Sequence, residues 1–578
     1  MLTRPVLADL ANARFDLVVI GAGINGSGIA HDAALRGLRT LLLDKGDIGG
    51  GTTSWSTRLI HGGLRYLEHG EIGLVRESLR ERERLLRLAP HLVRPLPLVI
   101  PVYRGDKRGT LLVKAGMVAY DALSFDKSLR RHRMLGRAEA LRRVPGLDPT
   151  GLRGAAVYYD AQVEFAERLA VENALAATAA GASVLTYGEV ERLVVVEGKI
   201  KGVTVRDRLG IGREVVDVGA KAVVNVAGPW VDQILAGVDH EGERPRPLIG
   251  GTKGSHIVVG AFPGAPADGL YVEARRDGRP FFIIPWNDQY LIGTTDSRYL
   301  GDLDHVVVDD NEMEYLLAET NRVVPGAELT ISDVHYSYAG VRPLPYQPDG
   351  VEGAISRRHQ VIDHEVDGGP NGLFSVVGGK LTTYRELAAQ VVDAVADRLG
   401  QSPIRTGTGE HPLPGGTVRG EQTIDEFRAQ FVTASGLPVV SAEHLLRVYG
   451  TRAADVLGMS QATPALGAAF DAASGAIAAE VVFAFREEGA ATLADALLRR
   501  TMVGLGPEAG VGADERAALI GREYLGWDDA RAEAEVANYR AYLTRFRPRS
   551  LGGRPRQFEG AIGFELSPTA AVGRIGGN

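Results

Sequence analysis

Three observations predict an α/β fold with a Rossmann-like first unit, an interleaved mixed-sheet region and an all-helical C-terminal domain. An apolar run at 15–20 leads into Gly21-Ala22-Gly23-Ile24-Asn25-Gly26, a helical stretch at 25–36 and a second apolar run at 39–43, the order of a βαβ unit. Between 152 and 377, short alternating runs mix with continuous apolar ones, as half-exposed antiparallel strands and fully buried parallel strands do. Beyond a Gly-, Pro-, Ser- and Thr-rich stretch at 401–416, residues 421–546 are rich in alanine and leucine at helical spacing.

The 578 residues are enough for three or four domains, and the 45% hydrophobic and 24% charged composition excludes wholesale disorder. A net charge of −7 argues against a broadly basic nucleic-acid binder. There is no cysteine, which excludes disulfides, thiolate metal sites, cysteine-ligated clusters, a cysteine nucleophile and a flavin bonded to cysteine. Redox chemistry would therefore need a bound organic cofactor or a non-thiolate metal. Glycine, at 73 residues, is about twice its usual share, so its positions carry information.

Taken in order, residues 1–14 form an N-terminal extension without the features of a secretory signal. Residues 15–400 hold two interleaved parts. The first takes about 15–100, 150–240 and 335–400, and the second about 100–150 and 240–335. An amphipathic helix is expected at 71–88. Residues 110–125 are apolar but interrupted by Lys114 and Asp121, with Lys107, Arg108, Lys127, Arg130 and Arg131 at their ends. That segment reads either as a helix lying on a membrane surface or as a core helix with solvated ends. A strand at 157–159 and a helix at 164–180 come next. Alternating runs at 190–196, 202–205 and 214–218 read as antiparallel strands, and 222–226 as a separate buried one. Further strands fall at 256–259, 281–285, 290–292 and 373–377, and a helix at 382–399. Residues 401–420 read as a linker, 421–546 as a separate helical domain, and 547–578 as a basic, then glycine-rich tail with Arg547, Arg549, Arg554 and Arg556.

The glycine turn has the context that a dinucleotide fingerprint needs. Gly21 permits the turn, Gly23 lets backbone approach a pyrophosphate, and Gly26 lets helix and strand pack closely. The helix N-terminus offers N–H groups to the anion. Asp44, at the end of the second strand, is placed to accept ribose hydroxyls. An ordinary βα turn is the plainer alternative. The fingerprint alone does not separate FAD from NAD.

The next segments make that distinction. Gly49-Gly50-Gly51-Thr52-Thr53-Ser54 leads to Thr57-Arg58-Leu59-Ile60-His61-Gly62-Gly63-Leu64-Arg65-Tyr66-Leu67. Ala227-Gly228-Pro229-Trp230, Lys253-Gly254-Ser255-His256, Ile292-Gly293-Thr294-Thr295-Asp296, Gly340-Val341-Arg342-Pro343 and Gly378-Gly379-Lys380-Leu381-Thr382-Thr383-Tyr384-Arg385 follow in order. With these motifs the chain closely resembles the FAD-dependent glycerol-3-phosphate dehydrogenases of aerobic metabolism, over roughly residues 15–545. Asp44 stands where glutamate is more usual, and Arg58 where lysine is common.

The resemblance implies a glutathione-reductase-like FAD domain, a mixed-sheet substrate domain and non-covalent FAD. It also implies oxidation of sn-glycerol 3-phosphate to dihydroxyacetone phosphate, with electrons passed to a membrane quinone. The body would be cytoplasmic and peripherally attached to the inner face of the cell membrane. Gly21, Gly23, Gly26, Asp44, Thr52, Thr53, Ser54, Gly63, Gly228, Gly378, Gly379, Leu381 and Thr382 are the expected cofactor contacts. In this family the helix after Gly378-Gly379 points its N-terminus at the flavin pyrimidine, where it stabilises negative charge.

A phosphorylated alcohol needs cations for its phosphate and a base for its hydroxyl proton. Arg65, Arg342 and Lys380 are the cationic candidates, with Arg357 and Arg385 as weaker ones. His61 is the candidate base, the alternative being a structural histidine. Tyr66 either bonds substrate or packs, and Arg342 either holds phosphate or polarises the C2 oxygen. A zinc-hydrolase or serine-hydrolase reading fails for want of HExxH and GxSxG motifs in context, and no metal is expected. An oxidase using O2 and making H2O2, and a non-catalytic flavin-fold protein that binds glycerol phosphates, remain alternatives. Oligomeric state stays open, a homodimer among the possibilities.

Overall fold

The computed structural model describes residues 1–68, 70–210, 214–237, 246–348, 355–402, 404–418, 420 and 422–547. The basic tail after Arg547, with Arg549, Arg554 and Arg556, lies outside them. Two sheets organise the chain, followed by a set of helices.

The first sheet runs in the order Gln360–Asp363, Leu373–Val377, Val215–Asn225, Arg14–Ile20, Thr40–Leu43, Ser183–Leu185. All but Gln360–Asp363 are mutually parallel. The pairings Leu17↔Ala222 and Val18↔Leu41 set the register. The central strands are fully buried because both faces are covered. Helices Ile24–Leu35, Ala166–Ala179 and Tyr384–Arg398 pack on one face. On the other lie the meander Gly188–Val196 and Lys199–Asp207 and the helix Leu7–Ala11, whose Leu7 and Leu10 share a core with Phe15 and Val18.

The two runs expected at 214–218 and 222–226 form one strand, Val215–Asn225. Its first half pairs antiparallel with Lys199–Asp207, from Val215↔Arg206 to Gly219↔Gly202. The second half lies between Arg14–Ile20 and Leu373–Val377, parallel to both. The change from alternating to continuous hydrophobicity therefore marks a change of neighbours within one strand.

The second sheet takes Leu59–Ile60, Val93–Tyr103, Arg133–Gly136, Leu152–Val163 and the strands from Thr252–Val259 to Val334–Arg342. Boundaries near 100, 150 and 335 would divide these strands between the two parts. The structure instead keeps Val93–Tyr103, Leu152–Val163 and Val334–Arg342 wholly in the second sheet. A buried apolar run shows that a strand exists, but not which sheet it joins.

The stretch read as a linker at 401–420 packs along the helices of the first unit. Thr406 donates its hydroxyl to Asp32, Leu413 is buried in their core, and the Gly415 N–H donates to Glu172 at 2.7 Å. The C-terminal region is helical from Ile424–Ala434 to Asp529–Leu543. It is not separately cored, however, because its apolar cluster takes in Phe165, Val258, Trp286, Tyr336 and Tyr338 from the sheet region.

Candidate active site

At the carboxyl ends of Arg14–Ile20 and Val215–Asn225 a cavity of about 1110 Å³ opens. One end is bounded by Asp44–Asp47 and the other by Gly378–Leu381. Gly21 has φ +109°, and a side chain at Gly26 would collide with the Gly21 carbonyl, so this turn admits only glycine at both places. The wall exposes a need for a ligand. Asn25 Oδ1 and Trp230 Nε1 are buried there without a protein partner, and a bound dinucleotide supplies groups of the kind that would satisfy them.

Of the expected cofactor contacts, Gly21, Gly23, Asp44, Thr52, Thr53, Gly228, Gly378, Gly379 and Leu381 line this cavity. Several do a second job. The Thr53 hydroxyl accepts from the Ile24 N–H at 3.0 Å, so this donor of the helix start is already engaged. Asp44 accepts from the N–H groups of Ala22 at 2.7 Å and Gly46 at 2.8 Å, which ties the two glycine turns together. Burial pushes the Asp44 carboxyl upward against these two bonds.

Four expected contacts sit behind the wall. Gly26 packs against Gly21, and Gly63 lies beneath the Tyr66 ring. Ser54 is buried and donates to the Gly49 carbonyl at 2.7 Å. The Thr382 hydroxyl accepts from the His61 N–H at 3.1 Å and donates to the His61 carbonyl at 3.3 Å, so it fixes the histidine's backbone. Motif position placed these residues beside the cofactor; in the structure they pack behind the residues that line the cavity. The helix after Gly378-Gly379 likewise begins at Tyr384 rather than 382, with Lys380–Thr383 forming a turn.

Beyond Lys380 the site becomes cationic. Lys380 Nζ lies 3.8 Å from the centre of the Tyr66 ring and donates to Ser78 Oγ at 3.3 Å. Arg342 donates from one nitrogen to Asp296 at 3.0 Å and from the other to Thr294 Oγ1 at 3.0 Å. Arg357 lies 3.9 Å from the same Asp296 and also bonds Tyr66. Gly254 makes room for this arrangement, since a side chain there would collide with the Arg342 guanidinium.

The proximity of these cations shows in their titration. Burial and Arg357 bring Lys380 down to about 7, and the same two causes bring Arg342 down to about 10. Burial opposes the charge of Asp296, yet Arg342 and Arg357 hold it below the usual carboxylate range. Burial, with Lys380, Arg357 and Arg82 nearby, lowers His61 to about 3, which keeps its imidazole neutral. Arg65 stands on the short helix Leu64–Leu67 beside Tyr66.

The loop that carries His61 is held from below as well. The Gly62 N–H donates to the Tyr120 hydroxyl at 2.9 Å, which donates to Asp160 at 2.8 Å, and Arg82 donates to Asp160 at 2.6 Å.

Tertiary contact thus brings His61, Tyr66, Arg342 and Lys380 into one cluster. Arg385 is excluded from it, because its guanidinium pairs with Glu81 at 2.7 and 2.8 Å and with Glu386. Sequence reasoning gave no role to Asp296 or Thr294 and undervalued Arg357. The Gly-Thr-Thr-Asp run was a signal for the first two. Arg357 follows a stretch with no motif and offered none.

Comparison with known proteins agrees with this geometry. The family described as FAD dependent oxidoreductase matches residues 16–385, and the C-terminal domain of alpha-glycerophosphate oxidase matches residues 406–532. A glycerol-3-phosphate dehydrogenase of Synechocystis sp. is 46% identical over 545 residues, covering 93% of this chain and 97% of its own. Glycerol-3-phosphate dehydrogenase 2 of Mycobacterium tuberculosis is 36% identical over 540 residues, covering 92% and 88%. Among solved structures, the glycerol-3-phosphate dehydrogenase of Bacillus halodurans complexed with FAD superposes with a TM-score of 0.73 at 27% identity, covering 93% of this chain and 96% of that one. The chain belongs to the FAD-dependent glycerol-3-phosphate dehydrogenase family, and FAD is its cofactor.

Proposed function

We propose that the chain oxidises sn-glycerol 3-phosphate to dihydroxyacetone phosphate and delivers the electrons to a membrane quinone. The observation that carries the first part is the juxtaposition of three cations, Lys380, Arg342 and Arg357, with a neutral imidazole, next to the cofactor cavity that Lys380 itself lines. When bound, FAD supplies the hydride acceptor.

The phosphate dianion meets Lys380 as a point charge and the arginines as planar donors. Asp296 and Thr294 fix the plane of Arg342, so its remaining N–H groups are aimed before substrate arrives. His61 accepts the C2 hydroxyl proton at a ring nitrogen. In the free site its basicity is held down by burial and by Lys380 and Arg357. A dianion seated on those two cations offsets their charge, so binding the substrate strengthens the base that acts on it.

The quinone reading is supported by the helix Thr110–Leu123. It leaves Leu111, Leu112 and Val118 exposed, with Phe125 just beyond it, among basic residues. No helix among the described residues is long and apolar enough to cross a membrane, so attachment to the inner face of a bilayer would use such a surface.

Anaerobic mixing with glycerol 3-phosphate while following flavin absorbance tests the reaction. Bleaching is expected, and unchanged absorbance would refute the reading. Reoxidation by a soluble quinone analogue without peroxide supports the quinone acceptor. Stoichiometric H2O2 with no quinone reduction identifies an oxidase instead.

A further inference from the structure

The C-terminal helices reach the cofactor cavity at the end marked by Asp44–Asp47. Asp44 closes the second strand, where the ribose of a dinucleotide sits, so this is the adenosine end. Arg499, Asn538, Tyr542 and Arg545, all from the C-terminal region, line the cavity together with Asp47 and Tyr187 of the first unit.

Two sets of contacts join these parts. Asp47 is wholly buried and accepts from Arg499 Nε at 2.6 Å and from both terminal nitrogens of Arg500 at 2.9 and 2.8 Å. Arg499 also donates to Asp495, which accepts from the Tyr187 hydroxyl at 2.7 Å. The second set joins residues that line the cavity. Arg545 donates to the Asp304 carbonyl at 3.0 Å, the Asp304 carboxylate meets Lys45 at 2.5 Å, and Lys45 stands 4.8 Å from the centre of the Trp230 ring. Trp230 Nε1 is one of the unpartnered atoms of the wall.

A surface helix bundle with no part in cofactor binding would need neither set. Burying the Asp47 carboxylate costs desolvation that its three bonds from two guanidinium groups offset, so removing one partner leaves a charge uncompensated. What these bonds fix is the loop between Asp44 and Gly51, which borders the cavity.

We propose that the C-terminal helical region is a structural part of the FAD site. In this assignment Arg499 and Arg500 position the adenosine-binding loop through Asp47. Arg545, Asp304 and Lys45 form a strap that slows release of the dinucleotide. These are positioning residues and take no part in the chemistry at His61.

The test uses the full chain stripped of FAD, titrated with ADP and with FAD, and the release rate of FAD from the reconstituted enzyme. Arg499→Gln removes the charge from the bonds to Asp47 and Asp495 and is expected to weaken ADP and FAD about equally, by about tenfold. Arg499→Lys restores part of the loss. Asp304→Ala, at an exposed position that folding tolerates, should speed FAD release about threefold through loss of a surface ion pair. The flavin absorption spectrum of each reconstituted variant should match the parent, because the isoalloxazine end is untouched. Unchanged ADP affinity in Arg499→Gln together with an unchanged release rate in Asp304→Ala would overturn the assignment. So would a shifted flavin spectrum with ADP affinity intact, which would place these contacts at the other end.

Discussion

Lys380 is a half-buried ammonium whose pKa of about 7 follows first from desolvation and then from Arg357. A lowered value means that the free site loses this cation as pH rises through about 7, while the substrate phosphate becomes a full dianion above about 6. The two trends oppose each other, so kcat/KM for glycerol 3-phosphate should peak near neutrality and fall above it through KM. Lys380→Arg keeps its charge and should remove the alkaline fall, which steady-state kinetics from pH 6 to 9 would show. Asp296 acts on substrate only through its neighbours. Asp296→Asn leaves Arg342 and Arg357 mutually repelled and Arg342 poorly aimed, and should lower kcat/KM by about 10²-fold. Binding of FAD, read by flavin absorbance, should be unchanged.

Among the elements, the helix Thr110–Leu123 is informative because its two faces have different destinations. Val113, Met117 and Tyr120, at i, i+4 and i+7, are buried, whereas Leu111 at 82% exposure and Leu112 at 59% face outward. The sequence left open whether this is a core helix or a surface one, and the structure shows a helix that is half of each. Its buried face ends in Tyr120, whose hydroxyl supports the Gly62 N–H beside His61. The double substitution Leu111→Glu, Leu112→Glu should reduce co-sedimentation with anionic vesicles by about tenfold or more, since it removes apolar contact and adds repulsive charge. Activity with a soluble acceptor should stay at the parent level. Equal vesicle binding by parent and variant would refute the proposed role of this helix in membrane attachment.

Across the whole molecule, buried ion pairs join regions distant in sequence. Arg58 and Glu167 pair at 2.6 and 2.7 Å with neither exposed, tying the loop before Leu59–Ile60 to the helix Ala166–Ala179. Arg58 thus makes a two-point pair that a lysine could not make. Arg168 and Glu488 join the same helix to the C-terminal region at 2.5 and 3.0 Å, with Arg452 as a third partner. Burial works against the Glu488 charge, but Arg168 and Arg452 hold its pKa at about 2 against an ordinary 4.5. The folded carboxylate therefore binds its proton less readily than the unfolded one. Its contribution to stability is present above about 4.5 and is lost as pH falls toward 2. Thermal unfolding followed between pH 7 and 3 should show a Tm falling below pH 4.5, and Glu488→Gln should start lower and show a shallower fall.

What the sequence determined by itself was whatever depends on short spacing. The turn Gly21–Gly26 with Asp44, the motif around His61 and the Gly378–Lys380 run each carry their meaning within a few residues, because backbone conformation and strand–helix order are local. Through the family resemblance that these motifs carry, the cofactor and the family were legible, and His61, Arg342 and Lys380 stood out as candidates, but not their meeting in one cluster. Tertiary structure decided everything set by contact between remote segments. It put Arg357 and Asp296 against Arg342, and moved Ser54, Gly63 and Thr382 one layer behind the wall. It also assigned whole strands to the second sheet and brought Arg499 and Arg545 to a cavity that begins more than 450 residues earlier in the chain. The reason is physical. A buried charge is stable only beside its partner, and the partner's distance along the chain leaves no trace in the spacing of either residue's neighbours.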